Sequence, residues 1–322
     1  MAFAGSSWQP DCYDILDKTP VMPAQRTLRQ VTLCTGIGLH SGKKVSISLK
    51  PAAADFGIRF YRADLDVEIP AHVSCLGETQ QLQTWLTKDN ASVETIEHLL
   101  SALRSLGVDN ALIELNQPEV PIMDGSAAPW VYLIQSAGTR ELGVPRQTLE
   151  ILSPVEVQDG DKRIAVYPAS HFKVTYTISF DHPLLRHQEK TLDITEQVYV
   201  DEIAPARTFG FLKEVEMLRQ RGQALGGSLD NAVVIGETGL LNPLRFDDEF
   251  VRHKILDAIG DLALLGHPIR GHLVVQRGGH ALHTAFATEL LRQSSAWRLV
   301  DARDPKKAAG NAVRVPARQS AH

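Results

Sequence analysis

The feature of this 322-residue chain that most restricts its fold is a pattern that occurs twice. Residues 30–52 and residues 149–169 each predict a strand, a polar turn and a second strand, and each ends in Pro-Ala. Each copy later contains a helical stretch with a histidine, at 92–107 and at 247–266, that ends at glycine. Because strands and helices are mixed within each copy, we predict an α+β protein rather than a doubly wound parallel sheet. It would have two similar domains from an internal duplication, each with helices packed on a β-sheet.

The two copies differ in length, and the difference indicates an insert in the second. The Pro-Ala pairs lie 117 residues apart, whereas His98 and His253 lie 155 apart, so the second copy carries about 38 extra residues. We place the insert around 209–235 and just before. The predicted organisation is a flexible leader at 1–26, an N-terminal domain at 27–145, a C-terminal domain at 148–301 and a flexible basic tail at 302–322.

Composition and charge exclude several classes of protein. With 43% hydrophobic and 22% charged residues, the chain has the composition of a globular protein. A net charge of −5 and a pI near 6.2 provide no general attraction to nucleic acid. No apolar run approaches the roughly 18 residues of a membrane span, and the N-terminus does not resemble a signal peptide. Three cysteines without CxxC spacing indicate neither a disulfide scaffold nor a cysteine zinc site. We therefore expect a cytoplasmic monomer without a transmembrane segment.

The strongest local signal for chemistry is a histidine and two aspartates on the second helix. His253, Asp257 and Asp261 are spaced i, i+4 and i+8, which places them on nearly one face. An imidazole and a carboxylate four residues apart can hold one divalent cation, and this donor pair suits zinc. The alternative is a His–Asp pair that only supports the helix, and the spacing alone does not exclude it.

The first helix contributes an adjacent glutamate and histidine. Glu97 and His98 point about 100° apart on a helix, so both can border one cavity without binding the same metal ion. A catalytic zinc needs three protein ligands plus water, and His98 with His253 and Asp257 makes such a set. Glu97 would then be a general base beside the metal. The alternative is an ordinary solvated polar face.

A third signal is the histidine in Gly278-Gly279-His280. Paired glycines after a strand permit a tight turn and place His280 at a loop rim. There it can act as a proton donor, with Asp261 orienting the ring and raising its pKa. The alternative is a turn histidine.

Seven separated blocks in one order carry a resemblance to a known family over roughly residues 26–300. They are TGIGLHSG (35–42), SVETIEHLLSAL (92–103), DNALIELNQPEVPIMDGSAAPWV (109–131), ARTFGF (206–211), GGSLDNAVV (226–234), LRFDDEFVRHKILDAIGDLALLG (244–266) and GGHALH (278–283). With them the sequence resembles the UDP-3-O-acyl-N-acetylglucosamine deacetylases, zinc enzymes of lipid A biosynthesis in Gram-negative bacteria.

The resemblance implies a fold, a reaction and a set of catalytic residues. The fold would be two similar α+β domains. The reaction would be hydrolysis of the 2-N-acetyl group of UDP-3-O-(hydroxyacyl)-N-acetylglucosamine with release of acetate, the committed step of lipid A biosynthesis. One zinc ion would be held by His98, His253 and Asp257. The other roles are Glu97 as general base, His280 as general acid or oxyanion-stabilising cation, Asp261 behind His280, and Thr208 as a hydrogen-bond donor to the tetrahedral intermediate.

The same resemblance assigns the substrate contacts. Lys254 would face the phosphates or sugar and Phe180 would stack on the uracil, with Phe209, Phe211 and Arg277 as further substrate-binding residues. Many relatives have lysine in place of Arg277. The extra segment resembles a βαβ insert that forms a hydrophobic passage for the acyl chain. Its lining positions are Val215, Ala224, Leu229, Ala232 and Val234. Residues 78–82 are more polar than the corresponding loop of the family, so we assign no sugar contact there.

Two other classes of function stay open at the level of sequence. One is a different zinc amidohydrolase that acts on another acylated sugar or on a peptide. It would need neither UDP nor a 3-O-acyl chain. The other is a non-catalytic, metal-dependent binding protein, which has no use for a base beside the metal. Glu97 argues against this second class.

Overall fold

The computed structural model describes residues 23–78 and 81–301. The predicted leader, except for its last four residues, and the predicted basic tail lie outside the described residues. Within the described part, no helix is both long enough and apolar enough to cross a membrane. Strands and helices alternate irregularly along the chain, which confirms the predicted α+β class. The internal duplication stays a prediction.

In the described part, the N-terminal half contains nine strands and two α-helices. They are β1 (Ala24–Leu28), β2 (Thr32–Ile37), β3 (Lys44–Pro51), β4 (Ile58–Arg62), β5 (Val67–Pro70), β6 (Trp85–Lys88), β7 (Ala91–Glu94), α1 (Glu97–Ser105), β8 (Ala111–Leu115), α2 (Ala128–Ala137) and β9 (Thr139–Pro145). Five of the strands form a sheet in the order β2-β3-β8-β4-β5. The period-two pattern of β3 buries Val45, Ile47 and Leu49 on one face.

Two boundaries in this half differ from the predicted ones. Residues 24–26, placed in the leader, belong to β1, which pairs antiparallel with β9. The helix predicted at 92–107 begins only at Glu97, because Ala91–Glu94 pair with β6 as strand β7. Thr95 separates the strand from the helix with a φ of 57°. Strand pairing in the tertiary structure therefore overrides the local helical pattern.

In the described part, the C-terminal half contains nine strands and four α-helices. They are β10 (Gln147–Ile151), β11 (Val155–Asp159), β12 (Lys162–Tyr167), β13 (Phe172–Ile178), β14 (Gln188–Asp193), α3 (Glu196–Val198), β15 (Phe209–Phe211), α4 (Leu212–Gln220), β16 (Val233–Ile235), α5 (Glu249–Leu262), β17 (Ile269–Gln276), α6 (His280–Arg292) and β18 (Trp297–Asp301). A π-helical turn at Tyr199–Ile203 follows α3. Strand β17 lies inside the sheet of this half. It pairs antiparallel with β12 and parallel with β10 and β13.

The segment predicted as a βαβ insert has that structure. Strands β15 and β16 pair in parallel, Phe209 opposite Val233 and Phe211 opposite Ile235, and α4 connects them. The segment spans Phe209–Ile235, the range in which we placed the insert, and its 27 residues account for most of the about 38 extra residues of the second copy.

The two halves meet where α1 packs against α5. Gly260 permits this close approach, because a Cβ atom there would lie 2.0 Å from the carbonyl oxygen of Glu97. Seven consecutive residues of α1, Glu97–Leu103, are buried, and one continuous apolar core contains residues of both halves. The crossing of these two helices brings the predicted metal ligands together.

Candidate functional site

Two histidines and one aspartate converge at the crossing of α1 and α5. His98 is the second residue of α1, and His253 and Asp257 lie one turn apart on α5. Asp257 Oδ1 is 3.2 Å from His253 Nε2 and 3.7 Å from His98 Nε2. One donor atom from each of the three residues lies within 4.8 Å of the others, and all three residues are buried.

The donor atoms of this cluster are oriented as metal ligands are. Asp257 Oδ1 is buried without a hydrogen-bond partner in the described part of the chain, although it faces both imidazoles. His253 donates from Nδ1 to the Ala206 carbonyl at 3.0 Å, which leaves the Nε2 lone pair directed at the cluster. Lys254 Nζ donates to the second carboxylate oxygen of Asp257 at 2.8 Å. The residues therefore fit a divalent metal ion.

The protonation states of His253 and Asp257 favour metal binding. Burial lowers the pKa of His253 to about 3, so its imidazole is neutral at neutral pH. Burial opposes the charge of Asp257, but the ammonium group of Lys254 lies against this carboxylate, and the pKa of Asp257 stays well below its usual range. Neutral imidazole and ionised carboxylate are the forms that bind metal ions.

Glu97 is a buried carboxylate next to this cluster. It accepts a hydrogen bond from the Thr84 backbone N–H at 3.1 Å. Burial raises the pKa of Glu97 above its ordinary value, which brings it closer to neutral pH. A carboxylate with a raised pKa beside a metal site is suited to accept a proton.

His280 begins α6 and lies beside the cluster, in the wall of the same cavity. It donates from Nδ1 to Asp261 Oδ2 at 2.9 Å, and its Nε2 lies 3.9 Å from Asp257 Oδ2. Burial disfavours the charged ring, but Asp261 and Glu97 outweigh burial and raise the pKa of His280 to about 9. The ring is therefore protonated at neutral pH and can act as a proton donor.

Ten of the predicted site residues share the wall of one cavity of about 290 Å³. They are Glu97, His98, Phe180, Thr208, Phe209, Phe211, His253, Lys254, Asp257 and His280. The three phenylalanines form an aromatic cluster, with the Phe180 ring centroid 5.9 Å from that of Phe209 and 5.8 Å from that of Phe211. Lys254 Nζ lies 5.5 Å from the centroid of Phe209, so a cation adjoins the aromatic wall.

An apolar groove of about 360 Å³ adjoins this cavity. All five residues predicted to line an acyl passage lie in its wall, namely Val215, Ala224, Leu229, Ala232 and Val234. Leu39, His40 and Phe209 lie in the walls of both spaces, so the groove and the metal cavity are neighbours.

One predicted substrate-binding residue lies outside this arrangement, and the polar segment 78–82 lies partly inside it. Arg277 lies in the wall of neither space and pairs at 2.6 Å with Asp161 in the turn between β11 and β12. Its predicted contact with substrate stays a prediction. In the polar segment 78–82, Leu82 lines both spaces, whereas Thr79 and Gln80 lie outside the described residues.

The structure adds supporting residues that the sequence did not reveal. Thr84 donates from Oγ1 to Asp261 Oδ1, and His283 donates from Nδ1 to Asp261 Oδ2 at 2.8 Å. Buried Glu119 accepts from the backbone N–H groups of His40 and Ser41 at 2.7 and 2.8 Å and so holds this loop at the cavity rim. For His283, the spacing of three residues after His280 was an available signal. No pattern in the sequence pointed to Thr84 or Glu119.

The α+β fold holds a candidate metal site beside a buried carboxylate and a histidine, and comparison with known proteins identifies the class as a deacetylase, a hydrolase. The family model described as LpxC, UDP-3-O-acyl N-acetylglycosamine deacetylase, matches residues 25–292. The chain belongs to this family, as the seven sequence blocks predicted.

Proteins from three bacteria, each named UDP-3-O-acyl-N-acetylglucosamine deacetylase, illustrate how far the similarity extends. The protein of Pseudomonas entomophila (strain L48) is 50% identical over 285 residues, which cover 87% of this chain and 94% of the relative. That of Hahella chejuensis (strain KCTC 2396) is 49% identical over 293 residues, covering 89% and 97%. That of Coxiella burnetii (strain Dugway 5J108-111) is 48% identical over 292 residues, covering 89% and 96%.

Proposed function

We propose that this chain hydrolyses the 2-N-acetyl group of UDP-3-O-(hydroxyacyl)-N-acetylglucosamine, releasing acetate and leaving a free 2-amino group. This is the committed step of lipid A biosynthesis, and we place it in the cytoplasm of a Gram-negative bacterium, with the enzyme as a monomer. The observation that carries the proposal is the apolar groove beside the metal cavity. The acyl chain of the substrate needs the groove, and its acetamide group needs the metal cavity. Membership in the deacetylase family supports the same substrate.

The metal ion would be zinc, held by His98, His253 and Asp257. Two imidazoles and one carboxylate leave a coordination position open, as in other catalytic zinc sites. Bound zinc would acidify a water molecule and polarise the amide carbonyl. The chain must also supply a base, an acid and donors for the oxyanion.

Glu97 would accept the proton of the attacking water. Its carboxylate lies in the cavity wall beside His98, and burial keeps its pKa above that of an exposed glutamate. The Thr84 N–H hydrogen bond fixes one carboxylate oxygen.

His280 would stabilise the oxyanion and then protonate the departing amine. Asp261 fixes the ring through Nδ1 and keeps it charged, so Nε2 is the nitrogen that carries the transferable proton. Thr208, in the same wall, would donate a hydrogen bond to the oxyanion.

The remaining residues would position the substrate. Lys254 would contact the phosphates or sugar, and the aromatic cluster of Phe180, Phe209 and Phe211 would bind the uracil by stacking. The acyl chain would lie in the groove along the βαβ insert. Each buried CH₂ group contributes about 0.8 kcal/mol, so a long acyl chain would dominate binding.

The decisive experiment is an assay of acetate release from the UDP-acyl substrate, with and without a chelator. We expect turnover that stops on chelation and returns with zinc, and much lower kcat/KM for UDP-N-acetylglucosamine, which lacks the acyl chain. Equal kcat/KM for both substrates would indicate a different amidohydrolase. No acetate from either substrate would contradict the proposal.

A further inference from the structure

A second cavity, whose largely apolar wall also carries arginine, serine and histidine side chains, lies at the far end of the α1–α5 helix pair. Helix α1 starts at the metal cavity with Glu97 and ends eight residues later at Ser105, about 12 Å away along its axis. At that end, Arg104, Ser105, Arg146 and His267 line a cavity of about 180 Å³. The proposed deacetylation uses none of these residues.

Two buried donors in this cavity lack acceptors. Among the residues that the structure describes, Arg104 Nη1 and Ser105 Oγ have no hydrogen-bond partner. The other terminal nitrogen of Arg104 donates to the Ala263 carbonyl at 3.3 Å, which fixes the guanidinium. A buried charged donor without an acceptor is unfavourable by several kcal/mol in general, so its retention calls for an acceptor.

Of the two arginines in the cavity wall, only one has a carboxylate partner. Arg146 donates from Nε to Asp109 at 2.8 Å, so this arginine has its carboxylate. Arg104 has no carboxylate within ion-pairing distance in the described ranges, and Glu196, also in the wall, is exposed. Burial and the neighbouring Arg146 lower the pKa of Arg104 to about 10, which still leaves it charged at neutral pH.

Helix C-termini carry partial negative charge, which would oppose an anion here. Much of it is already neutralised, however. The Leu106 and Val108 N–H groups donate to the carbonyls of Ala102 and Leu103 at 3.0 and 2.9 Å. Arg104 itself donates to Ala263, just after α5. Arg104 Nη1 therefore stays a buried cationic donor beside this helix end.

We propose that this cavity binds a phosphate group, either free or carried by a small organic molecule. A planar guanidinium fork beside a hydroxyl donor matches tetrahedral phosphate oxygens. The apolar part of the wall, including Phe172, Ile259 and Leu262, offers contact for a short aliphatic group on that phosphate.

Titration calorimetry of the full chain with inorganic phosphate, at constant ionic strength in chloride, tests the proposal. We expect Arg104→Gln to weaken binding about tenfold or more, because a hydrogen bond to a charged group is lost. Ser105→Ala, which removes the second donor without touching the charge, should weaken it several-fold. The matched control is Arg140→Gln, which removes an exposed arginine on β9 and should leave the affinity unchanged.

A further variant separates this cavity from the substrate cavity. If the phosphate bound beside the metal cluster, Lys254→Gln would abolish binding, whereas the proposal requires binding to persist. Tighter binding of n-butyl phosphate than of inorganic phosphate would identify an organic phosphate as the ligand, and equal binding would identify free phosphate. Unchanged affinity in both Arg104→Gln and Ser105→Ala, with thermal melts showing both variants folded, would overturn the proposal, as would no binding by the wild-type chain.

Discussion

Burial sets the protonation states of the two residues proposed to move protons. Burial raises the pKa of Glu97. Burial alone would lower the pKa of His280, but the neighbouring carboxylates of Asp261 and Glu97 raise it to about 9. At neutral pH the site therefore pairs a carboxylate that can accept a proton with an imidazolium that can donate one. Two predictions test these assignments at single residues.

Glu97→Gln should retain the metal ion and lose activity by about 10²–10⁴-fold, the usual scale for a missing general base. The amide keeps the shape of the side chain but cannot accept the proton. Elemental analysis and kcat/KM, measured together, check this, with the exposed Glu237→Gln as control. A near wild-type rate would remove Glu97 from the mechanism, and loss of metal would make it a ligand.

The pH profile of kcat/KM should be bell-shaped. Glu97 acts only when ionised, and its raised pKa places the acidic loss at higher pH than for an ordinary glutamate. His280 acts only when protonated, so activity should fall as the pH rises through about 9.

His280→Ala should lower the rate and remove the alkaline limb that His280 causes. The exposed His171→Ala should change neither limb. If His280→Ala kept both limbs and the rate, another group would have to be the acid.

At the scale of elements, the crossing of α1 and α5 and the β15-α4-β16 insert form the two parts of the site. The crossing brings ligands from two helices together, and it depends on a glycine at the contact. The insert supplies most of the apolar groove. Residues in the helix crossing and in the insert can each be substituted without changing a proposed metal ligand.

Gly260→Ala should lower the free energy of unfolding by about 1–3 kcal/mol, because the new methyl group would overlap the Glu97 carbonyl. It should also reduce kcat, since α1 must shift and carries Glu97. Chemical denaturation and kinetics check both. Gly239→Ala is the control, because nothing lies within 4 Å of a Cβ atom there. Equal stability of the two variants would show that the crossing tolerates a side chain.

Val215→Trp should fill the groove from α4 and raise KM sharply for a long-acyl substrate. The variant should matter little for an analogue without the acyl chain, which binds elsewhere in the cavity. Ala224 is a poorer position for this test, because its φ of 53° adds backbone strain. Glu216→Trp, on the exposed face of the same helix, is the matched control. Equal effects of Val215→Trp on both substrates would show that the insert has a structural role and that the acyl chain does not bind there.

At the scale of the whole molecule, the proposed metal ligands link the two halves of the chain, because His98 lies on α1 in one half and His253 and Asp257 lie on α5 in the other. A ligand that binds only the folded state stabilises it, by about 4 kcal/mol at a thousand times its Kd. Chelation should therefore lower the Tm of the wild type. His253→Ala should have a lower Tm that no longer responds to chelator. A wild-type Tm unaffected by complete metal removal would contradict this link.

Several features of the fold and site follow from local sequence. The i, i+4 spacing of His253 and Asp257 survives in any α-helix, so their proximity was predictable. The period-two strands were predictable because their pattern lies among neighbouring residues. The insert at 209–235 and the family were predictable because they rest on the order and spacing of motifs along the chain.

Only the tertiary structure shows which distant residues complete the site. Thr84 contacts Asp261 across 177 residues, and Glu119 holds His40 across 79. The strand at Ala91–Glu94 took the place of the first residues of the helix predicted at 92–107, because pairing with β6 outweighs local propensity. The cavity at Arg104 likewise exists only because two helix ends meet. Contacts of this kind depend on how the helices and sheets pack, and no local pattern encodes that packing.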